Sequence, residues 1–149
     1  MIVSADVLLV EDNPADAEFV LESLRGALAG RLLHLHDGAI ALDYLFHRGA
    51  YADSAETLPA LVLLDIKLPK VDGFTVLREI KGDPRTQRVP VVMLTSSNVE
   101  RDVSLCYALG VNSYIQKPMD FDAFRSVVRT IGQYWLSTNI GPTAGGAIP

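Results

Sequence analysis

Three carboxylates directly follow two short, wholly apolar runs of this sequence. Glu11 and Asp12 come after residues 7–10, and Asp65 comes after residues 61–64. A run of four apolar residues is typical of a strand that is buried on both faces of a parallel sheet. Ligands of such sheets bind beyond the carboxyl ends of the strands, so we expect these carboxylates to take part in chemistry.

The chemistry that this set favours is metal-assisted phosphoryl transfer. Three carboxylates in one crevice repel each other unless a cation lies between them. Mg²⁺ fits best, because it binds one or two carboxylates together with waters and a phosphoryl oxygen. Asp65 would then be the nucleophile that attacks phosphorus. Thr95, which follows an apolar run, and Lys117, which follows the alternating segment 111–116, would offer a hydroxyl and a positive charge to the phosphoryl oxygens.

The elements that position these residues alternate along the chain. Apolar or alternating segments predict strands at 7–10, 31–36, 61–64, 89–94 and 111–116. Apolar residues at helical spacing predict a helix after each strand; the first ends at Gly30 and the fourth spans 99–109. We therefore predict an α/β, doubly wound (βα)5 flavodoxin-like fold with a parallel sheet of order 2-1-3-4-5, which gathers the carboxylates at one edge.

The composition predicts one soluble domain in a reducing compartment. The 149 residues are 49% hydrophobic with a net charge of −5, and no Lys/Arg cluster suggests binding to nucleic acid. A single cysteine, Cys106, cannot form an internal disulfide. No apolar run approaches the roughly 20 residues of a membrane span, and no basic signal sequence precedes the first strand, so we expect a cytoplasmic protein. Residues 1–136 form the predicted domain, and 137–149 a flexible tail.

The strand ends also carry the motifs of a known family. They read Val10-Glu11-Asp12-Asn13, Leu64-Asp65 with Leu68-Pro69 and Asp72-Gly73, Leu94-Thr95-Ser96, and Gln116-Lys117-Pro118. With this ordered set the chain resembles the receiver domain of bacterial two-component response regulators over residues 5–136. One such motif would be weak evidence, but the whole set, with each part on its own strand end, is strong.

The resemblance implies a magnesium-dependent phosphoacceptor. Asp65 would receive a phosphoryl group from a histidine kinase. Asp12, Asp65 and the backbone carbonyl of Lys67 would bind Mg²⁺. Glu11, where many receivers carry Asp, would orient a metal-bound water.

The resemblance also implies a switch that responds to phosphorylation. Thr95 and Lys117 would bind the phosphoryl oxygens. Tyr114, three residues before Lys117, matches the family's aromatic switch position, whose ring follows the Thr hydroxyl inward on phosphorylation.

The expected output is a contact with another protein. Residues 137–149 are too few to fold as an output domain, so we expect a single-domain regulator that is not an enzyme apart from catalysing its own phosphotransfer and slow dephosphorylation. The loop around Tyr51, Ala52 and Asp53 and the segment 133–136 resemble small regulators that are paired with bacterial phytochrome kinases.

A homodimer through the fourth helix, the fifth strand and the fifth helix is also predicted. Neighbouring residues on a helix point about 100° apart, so Tyr134 and Trp135 cannot both face the sheet. A large exposed aromatic ring indicates an interface. Leu109 and Tyr114 complete the predicted contact.

Two other functions use the same residue types. A phosphatase of the haloacid dehalogenase type also combines a nucleophilic Asp with Thr/Ser and Lys, but it requires a second acid where this chain has Lys67. A pseudo-receiver would keep the fold without accepting phosphate, and the complete set of Asp12, Asp65, Thr95 and Lys117 argues against it.

Several residues also have simpler explanations. Thr95 could cap the fourth helix, although Asn98 is better placed for that, and Lys117 could lie on the surface. His34 and His36 fall on one face of an edge strand, where solvent exposure explains them better than metal ligation. Cys106 is expected to be a buried small hydrophobe rather than a reactive thiol.

Overall fold

Parallel strands and helices alternate throughout the described chain. The computed structural model describes residues 7–25, 31–54 and 57–142. The strands are β1 (Val7–Val10), β2 (Leu32–Leu35), β3 (Leu61–Leu64), β4 (Val91–Thr95) and β5 (Ser113–Gln116). The helices are α1 (Pro14–Arg25), α2 (Gly38–Phe46), α3 (Gly73–Gly82), α4 (Glu100–Ala108) and α5 (Phe121–Gln133). The strand order β2-β1-β3-β4-β5 confirms the predicted doubly wound fold.

The sheet separates two hydrophobic layers. Successive side chains of a strand point to opposite faces, so Leu8 and Val10 pack with α2, α3 and α4, while Val7 and Leu9 pack with α1 and α5. Every residue of β1, β3 and β4 is buried. The wholly apolar runs of the sequence are therefore the central strands, as their lack of alternation predicted.

β4 begins two residues later than its sequence predicts. The N–H of Val89 closes a turn by donating to the carbonyl of Thr86 at 3.0 Å. Pro90 has no N–H to donate to a ladder, so pairing begins only at Val91. Both residues are apolar, and apolarity alone made them look like part of the strand.

β5 begins at Ser113 rather than at residue 111. Gly110 has a φ of 97°, and the N–H of Val111 donates to the carbonyl of Cys106 at 3.0 Å. These two residues therefore complete the end of α4. Val111 is buried in the hydrophobic layer that contains α2, α3 and α4, and this explains why it resembles a strand residue.

The end of the first helix, the loop before β3 and the end of the domain differ in detail from the prediction. The predicted helix end at Gly30 lies outside the described residues, and α1 is described to Arg25. The loop around Tyr51 contains a 3₁₀ turn at Gly49–Tyr51. A π-helical turn at Tyr134–Thr138 carries helical structure two residues beyond the predicted domain end at 136, and residues 143–149 lie outside the described residues.

Across the parts of the chain that are described, none of the helices combines the length and the apolar character needed to cross a membrane.

Gly73 is required because α3 begins against the backbone of the central strand β3. A Cβ at this position would lie 2.7 Å from Cα of Ile66 and closer still to the carbonyl oxygen of Asp65. We expect Gly73→Ala to lower the free energy of unfolding by about 2–3 kcal/mol, since backbone must move to relieve the overlap. At Gly82, which ends the same helix, an added Cβ would meet no atom within 4 Å. Urea denaturation should therefore show Gly82→Ala to be unchanged or more stable, and an equal loss in both variants would contradict this explanation.

Cys106 is the only buried residue of α4. Burial raises the pKa of its thiol to about 11, and the nearby carboxylate of Asp102 acts in the same direction. At pH 8 we expect a thiol reagent to modify the folded protein at least about a hundredfold more slowly than the unfolded protein, because the helix must first open. Labelling at equal rates with and without denaturant would contradict the burial.

Candidate functional site

Four predicted site residues lie at the carboxyl ends of adjacent strands. β1 and β3 are paired in register, and the N–H of Asp65 donates to the carbonyl of Val10 at 3.1 Å, so Glu11 and Asp65 leave the sheet side by side. On the other side of β3, the N–H of Lys117 donates to the carbonyl of Thr95 at 2.7 Å. The strand order thus brings these residues to one edge, as predicted.

The ammonium of Lys117 joins three carboxylates. Its Nζ donates to Oε1 of Glu11 at 2.6 Å and to Oδ2 of both Asp16 and Asp65 at 2.9 Å. A lysine ammonium has three N–H groups, so each one has its own carboxylate. The side chain of Lys117 is 8% exposed and that of Glu11 is 3% exposed. Because these charges are shielded from water, the local dielectric constant is low and their electrostatic interaction is strong.

Burial and charge act on these groups in opposite directions. Burial raises the pKa of Glu11 to about 7, against the hydrogen bond from Lys117, which lowers it. Burial alone would lower the pKa of Lys117, but hydrogen bonds to Glu11, Asp16 and Asp65 outweigh it, and the pKa is raised. Lys117 therefore carries a proton throughout the physiological range and acts as a fixed cation rather than as an acid or base.

The carboxylate of Asp65 is held by one hydrogen bond on each oxygen. Oδ1 accepts from the N–H of Ile66 at 2.7 Å, and Oδ2 accepts from Lys117. A carboxylate oxygen has two lone pairs, so each oxygen keeps one for another partner. The carboxylate is oriented and next to a cation, which is the arrangement that nucleophilic attack on a phosphoryl group requires.

Oxygen donors for a hard cation lie next to Asp65. Asp12 and Lys67 both line an open cleft of about 560 Å³ at the end of β3. The Asp12 side chain is exposed and has no hydrogen bond or ion pair within the described residues, so its oxygens remain available. Among those residues no three His, Cys, Asp or Glu side chains could hold a metal by themselves. The donor set fits Mg²⁺, which takes few carboxylates and fills its other positions with waters and carbonyl oxygens.

Thr95 and Tyr114 are connected through Ser97. Thr95 is buried at the end of β4, and its Oγ1 accepts from the N–H of Ser97 at 3.5 Å, a long contact. The hydroxyl of Tyr114 donates to the carbonyl of Ser97 at 2.9 Å, and Oγ of Ser97 donates to Asp102 of α4 at 2.7 Å. The same short loop thus contacts the site, the aromatic ring and α4.

Comparison with known proteins identifies the family of this arrangement. The family model of the response regulator receiver domain matches residues 7–129. The chain belongs to this family. It is therefore a signalling domain of two-component systems, and the haloacid dehalogenase alternative has no support.

Individual receivers are similar to this chain over nearly its whole length. The probable methanogenesis regulatory protein FilR2 of Methanothrix harundinacea is 44% identical over 91% of the chain and 86% of its own length. The response regulator Rcp1 of Synechocystis is 42% identical over 93% of both proteins. The structure of the phosphorylated cyanobacterial phytochrome response regulator RcpA has a TM-score of 0.88 at 40% identity, covering 94% of this chain and 99% of RcpA. The Mn²⁺-bound form of Rcp1 has a TM-score of 0.86 at 41% identity, covering 93% of this chain and 99% of Rcp1.

Asp16 of the receiver site was missed from the sequence. An acidic residue in the first turn of a helix is ordinarily explained by the helix dipole, and Asp16 occupies that position in α1. Its contact with the Lys117 ammonium joins residues 101 positions apart in sequence. Asp12 lies outside α1, so no helical spacing signalled this contact.

In the receiver, His34 lies in the edge strand β2 and His36 follows the end of that strand, with ring centroids 4.5 Å apart. Nε2 of His34 lies 2.8 Å from the carbonyl oxygen of Glu11. This bond ties β2 to the end of β1, and no metal-ligating group of described residues includes either histidine.

The residues of the predicted interface differ in exposure. Tyr134 is 47% exposed, whereas Trp135 packs against the layer of α1 and α5, and the two rings meet edge to face at 5.0 Å. This agrees with the argument that only one of them can face the sheet. Leu109 and Tyr114 are partly buried against the opposite layer. Tyr107 on α4, 53% exposed, was not considered.

Proposed function

We propose that this receiver is a switch in which Asp65 accepts a phosphoryl group from a histidine kinase. The contact of 2.9 Å between Nζ of Lys117 and Oδ2 of Asp65 carries this proposal. It places a buried cation where the charge of a phosphoryl group on Asp65 would lie, and such preoriented charge is the main source of catalysis in phosphoryl transfer. The hydroxyl of Thr95 would be the second phosphoryl contact.

The transfer is a displacement at phosphorus. An Asp65 oxygen forms a bond to phosphorus while the P–N bond of a phosphohistidine breaks. The imidazole leaves with the electron pair of that bond and takes up a proton, and Asp65 becomes an acyl phosphate. With acetyl phosphate the P–O bond breaks instead and acetate leaves. Later attack by water on the same phosphorus would restore Asp65 slowly.

Magnesium is the proposed cofactor. Asp12, Asp65 and the carbonyl of Lys67 would hold the ion, and its charge would offset that of the phosphoryl oxygens. Glu11 accepts hydrogen bonds from Lys117 and from the N–H of Asn13. Its carboxylate keeps further lone pairs, with which it would orient a water ligand of the ion.

Tyr114 and Thr95 form the proposed switch. The Tyr114 hydroxyl already holds the loop that follows Thr95, so a shift of Thr95 toward a phosphoryl group would move that loop and its contact with Asp102 on α4. The output would be a changed surface for an unidentified protein partner. A cytoplasmic location is part of the proposal.

A phytochrome-type sensor is the proposed kinase class. The support is the similarity of this chain to RcpA, which is a phytochrome response regulator. Competitive phosphotransfer from a phytochrome-type histidine kinase and from an unrelated histidine kinase would test this. Faster transfer from the unrelated kinase would contradict the pairing while leaving the phosphoacceptor role intact.

A homodimer through α4, β5 and α5 is a further part of the proposal. Leu109, Tyr114, Tyr134 and Trp135 would contribute, and the exposure of Tyr134 supports it. Sedimentation at tens of micromolar should show a dimer in the presence of a phosphoryl analogue. A monomer with and without the analogue would contradict it.

The direct test is phosphorylation by acetyl phosphate and Mg²⁺. Mass spectrometry should find one phosphoryl group on the peptide that contains Asp65, and hydroxylamine should remove it because it is an acyl phosphate. Absence of labelling with folded protein would favour the pseudo-receiver.

A further inference from the structure

Asp16 shares the ammonium of Lys117 but has no role in the phosphoacceptor chemistry described above. Its Oδ2 lies 2.9 Å from Nζ, the same distance as Oδ2 of Asp65. Glu11 takes the remaining N–H at 2.6 Å. The position of the cation is therefore set by groups on three elements: the end of β1, the first turn of α1 and the end of β3.

The cap of α1 leaves the Asp16 carboxylate free for this contact. Oδ1 of Asn13 accepts from the N–H groups of Ala15 and Asp16, at 2.9 and 3.1 Å. In a capping box an acidic residue at the Asp16 position would in turn accept the N–H of the cap residue. Here the N–H of Asn13 donates to Oε2 of Glu11 at 3.1 Å instead. Glu11 thus replaces Asp16 in the cap, and Asp16 extends to Lys117.

We propose that Asp16 is a positioning residue for phosphoryl transfer, which it influences through Lys117. This inference rests on the proposed function of Asp65 as the phosphoacceptor. Glu11 and Asp16 hold two N–H groups of the ammonium, so that the third is directed at Asp65. A phosphoryl oxygen on Asp65 can accept that third N–H without disturbing the other two.

A second anchor matters because of the chemistry of lysine. The side chain has a flexible four-carbon stem and a head group whose three donors rotate. With Glu11 alone, the ammonium could turn about a single contact and lose its direction toward Asp65. Asp16 is 33% exposed as a side chain whereas Glu11 is 3% exposed, so Asp16 holds the ammonium from the solvent side and Glu11 holds it from the interior.

A double-mutant cycle tests this mechanism. The variants are Asp16→Ala, Lys117→Met and the two combined, each labelled with acetyl phosphate at saturating Mg²⁺. Asp16→Ala should lower the first-order rate constant for phosphorylation at saturating acetyl phosphate about tenfold. A misdirected ammonium stabilises the phosphoryl oxygens less well in the transition state. In the Lys117→Met background the same change should have less than about a twofold effect, since Asp16 then has nothing to position.

Two further variants distinguish the positioning of the Lys117 ammonium from a general effect of removing a negative charge from α1. Asp16→Asn keeps an oxygen acceptor and should recover part of the rate, to within about threefold of the unmodified protein. Glu18→Ala removes the same charge from an exposed position of α1, and its rate should stay within about twofold. Thermal unfolding of each variant will show that the labelled protein is folded.

A readout without phosphorylation comes from the Lys117 ammonium itself. Three hydrogen bonds slow its rotation and proton exchange, so its Nζ–Hζ correlation should be visible by NMR in the unmodified protein and lost in Asp16→Ala. A persistent signal would overturn the inference, as would an Asp16→Ala rate within twofold of normal or an equal loss in both backgrounds. Failure to label the unmodified protein would instead overturn the proposed function and this inference together.

Discussion

Replacing Asp65 with asparagine is expected to abolish phosphoryl transfer to this chain. An amide keeps the shape of the side chain, but its single oxygen can accept the hydrogen bond of Ile66 or that of Lys117, not both. It has no anionic oxygen with which to attack phosphorus, so labelling by acetyl phosphate and Mg²⁺ should fall at least about a thousandfold, to background. Quantitative mass spectrometry of the intact protein measures this.

The matched control is Asp122→Asn. Asp122 belongs to the first turn of α5, and its side chain is 93% exposed, so this variant makes the same chemical change away from the site. Its labelling should match that of the unmodified protein. Full labelling of Asp65→Asn at another residue would mean that the phosphoacceptor has been misassigned.

Replacing Lys117 with methionine is expected to have the largest effect on stability. Methionine keeps the apolar stem, but Glu11, Asp16 and Asp65 lose the only cation that contacts them within the described chain. Removing one partner of a buried charge pair leaves uncompensated charge, so the free energy of unfolding at pH 7.5 should fall by about 2–4 kcal/mol. Urea denaturation monitored by circular dichroism measures the change.

The loss should depend on pH in a definite direction. Burial raises the pKa of Glu11 from 4.5 to about 7, so the folded protein binds more protons than the unfolded chain between these values. Stability therefore falls as pH rises through this window. The fall should be larger and extend to higher pH in Lys117→Met, because the ammonium that opposes the rise in the Glu11 pKa is absent. The variant should therefore lie closer to the unmodified protein at pH 5 than at pH 8.

Lys70→Met is the comparison for this experiment. The Lys70 side chain is 68% exposed and lies 3.7 Å from Asp37, so its removal should change the stability by less than about 0.5 kcal/mol. Equal losses in the two lysine variants, or a Lys117→Met loss that does not vary with pH, would contradict the description of the site as a buried charge cluster.

The parts of this site that could be predicted are those attached to strands. Glu11, Asp65, Thr95 and Lys117 each come at or directly after a strand end, and in a parallel sheet strand ends meet at one edge. Sequence position and strand order were therefore enough to bring these four together. The central strands were equally clear, since being buried on both faces requires unbroken apolar runs.

The parts that could not be predicted depend on how elements cross. Asp16 contacts the Lys117 ammonium across 101 residues of sequence, and no local pattern encodes that contact. The late starts of β4 and β5 could not be predicted from hydropathy, because Val89 and Val111 are buried in the core although neither is paired in the ladder. The link from Tyr114 to Asp102 through Ser97 likewise joins residues whose spacing has no regular period.

The burial of a single residue of α4 has a mechanical consequence. Four residues of α1, five of α2, four of α3 and four of α5 are buried, whereas α4 buries Cys106 alone. The free energy needed to displace a helix grows with the apolar area that the helix buries. α4 is therefore the helix that is most easily displaced from the sheet. A small force applied at Ser97 would therefore be converted into movement at α4 and into very little deformation elsewhere.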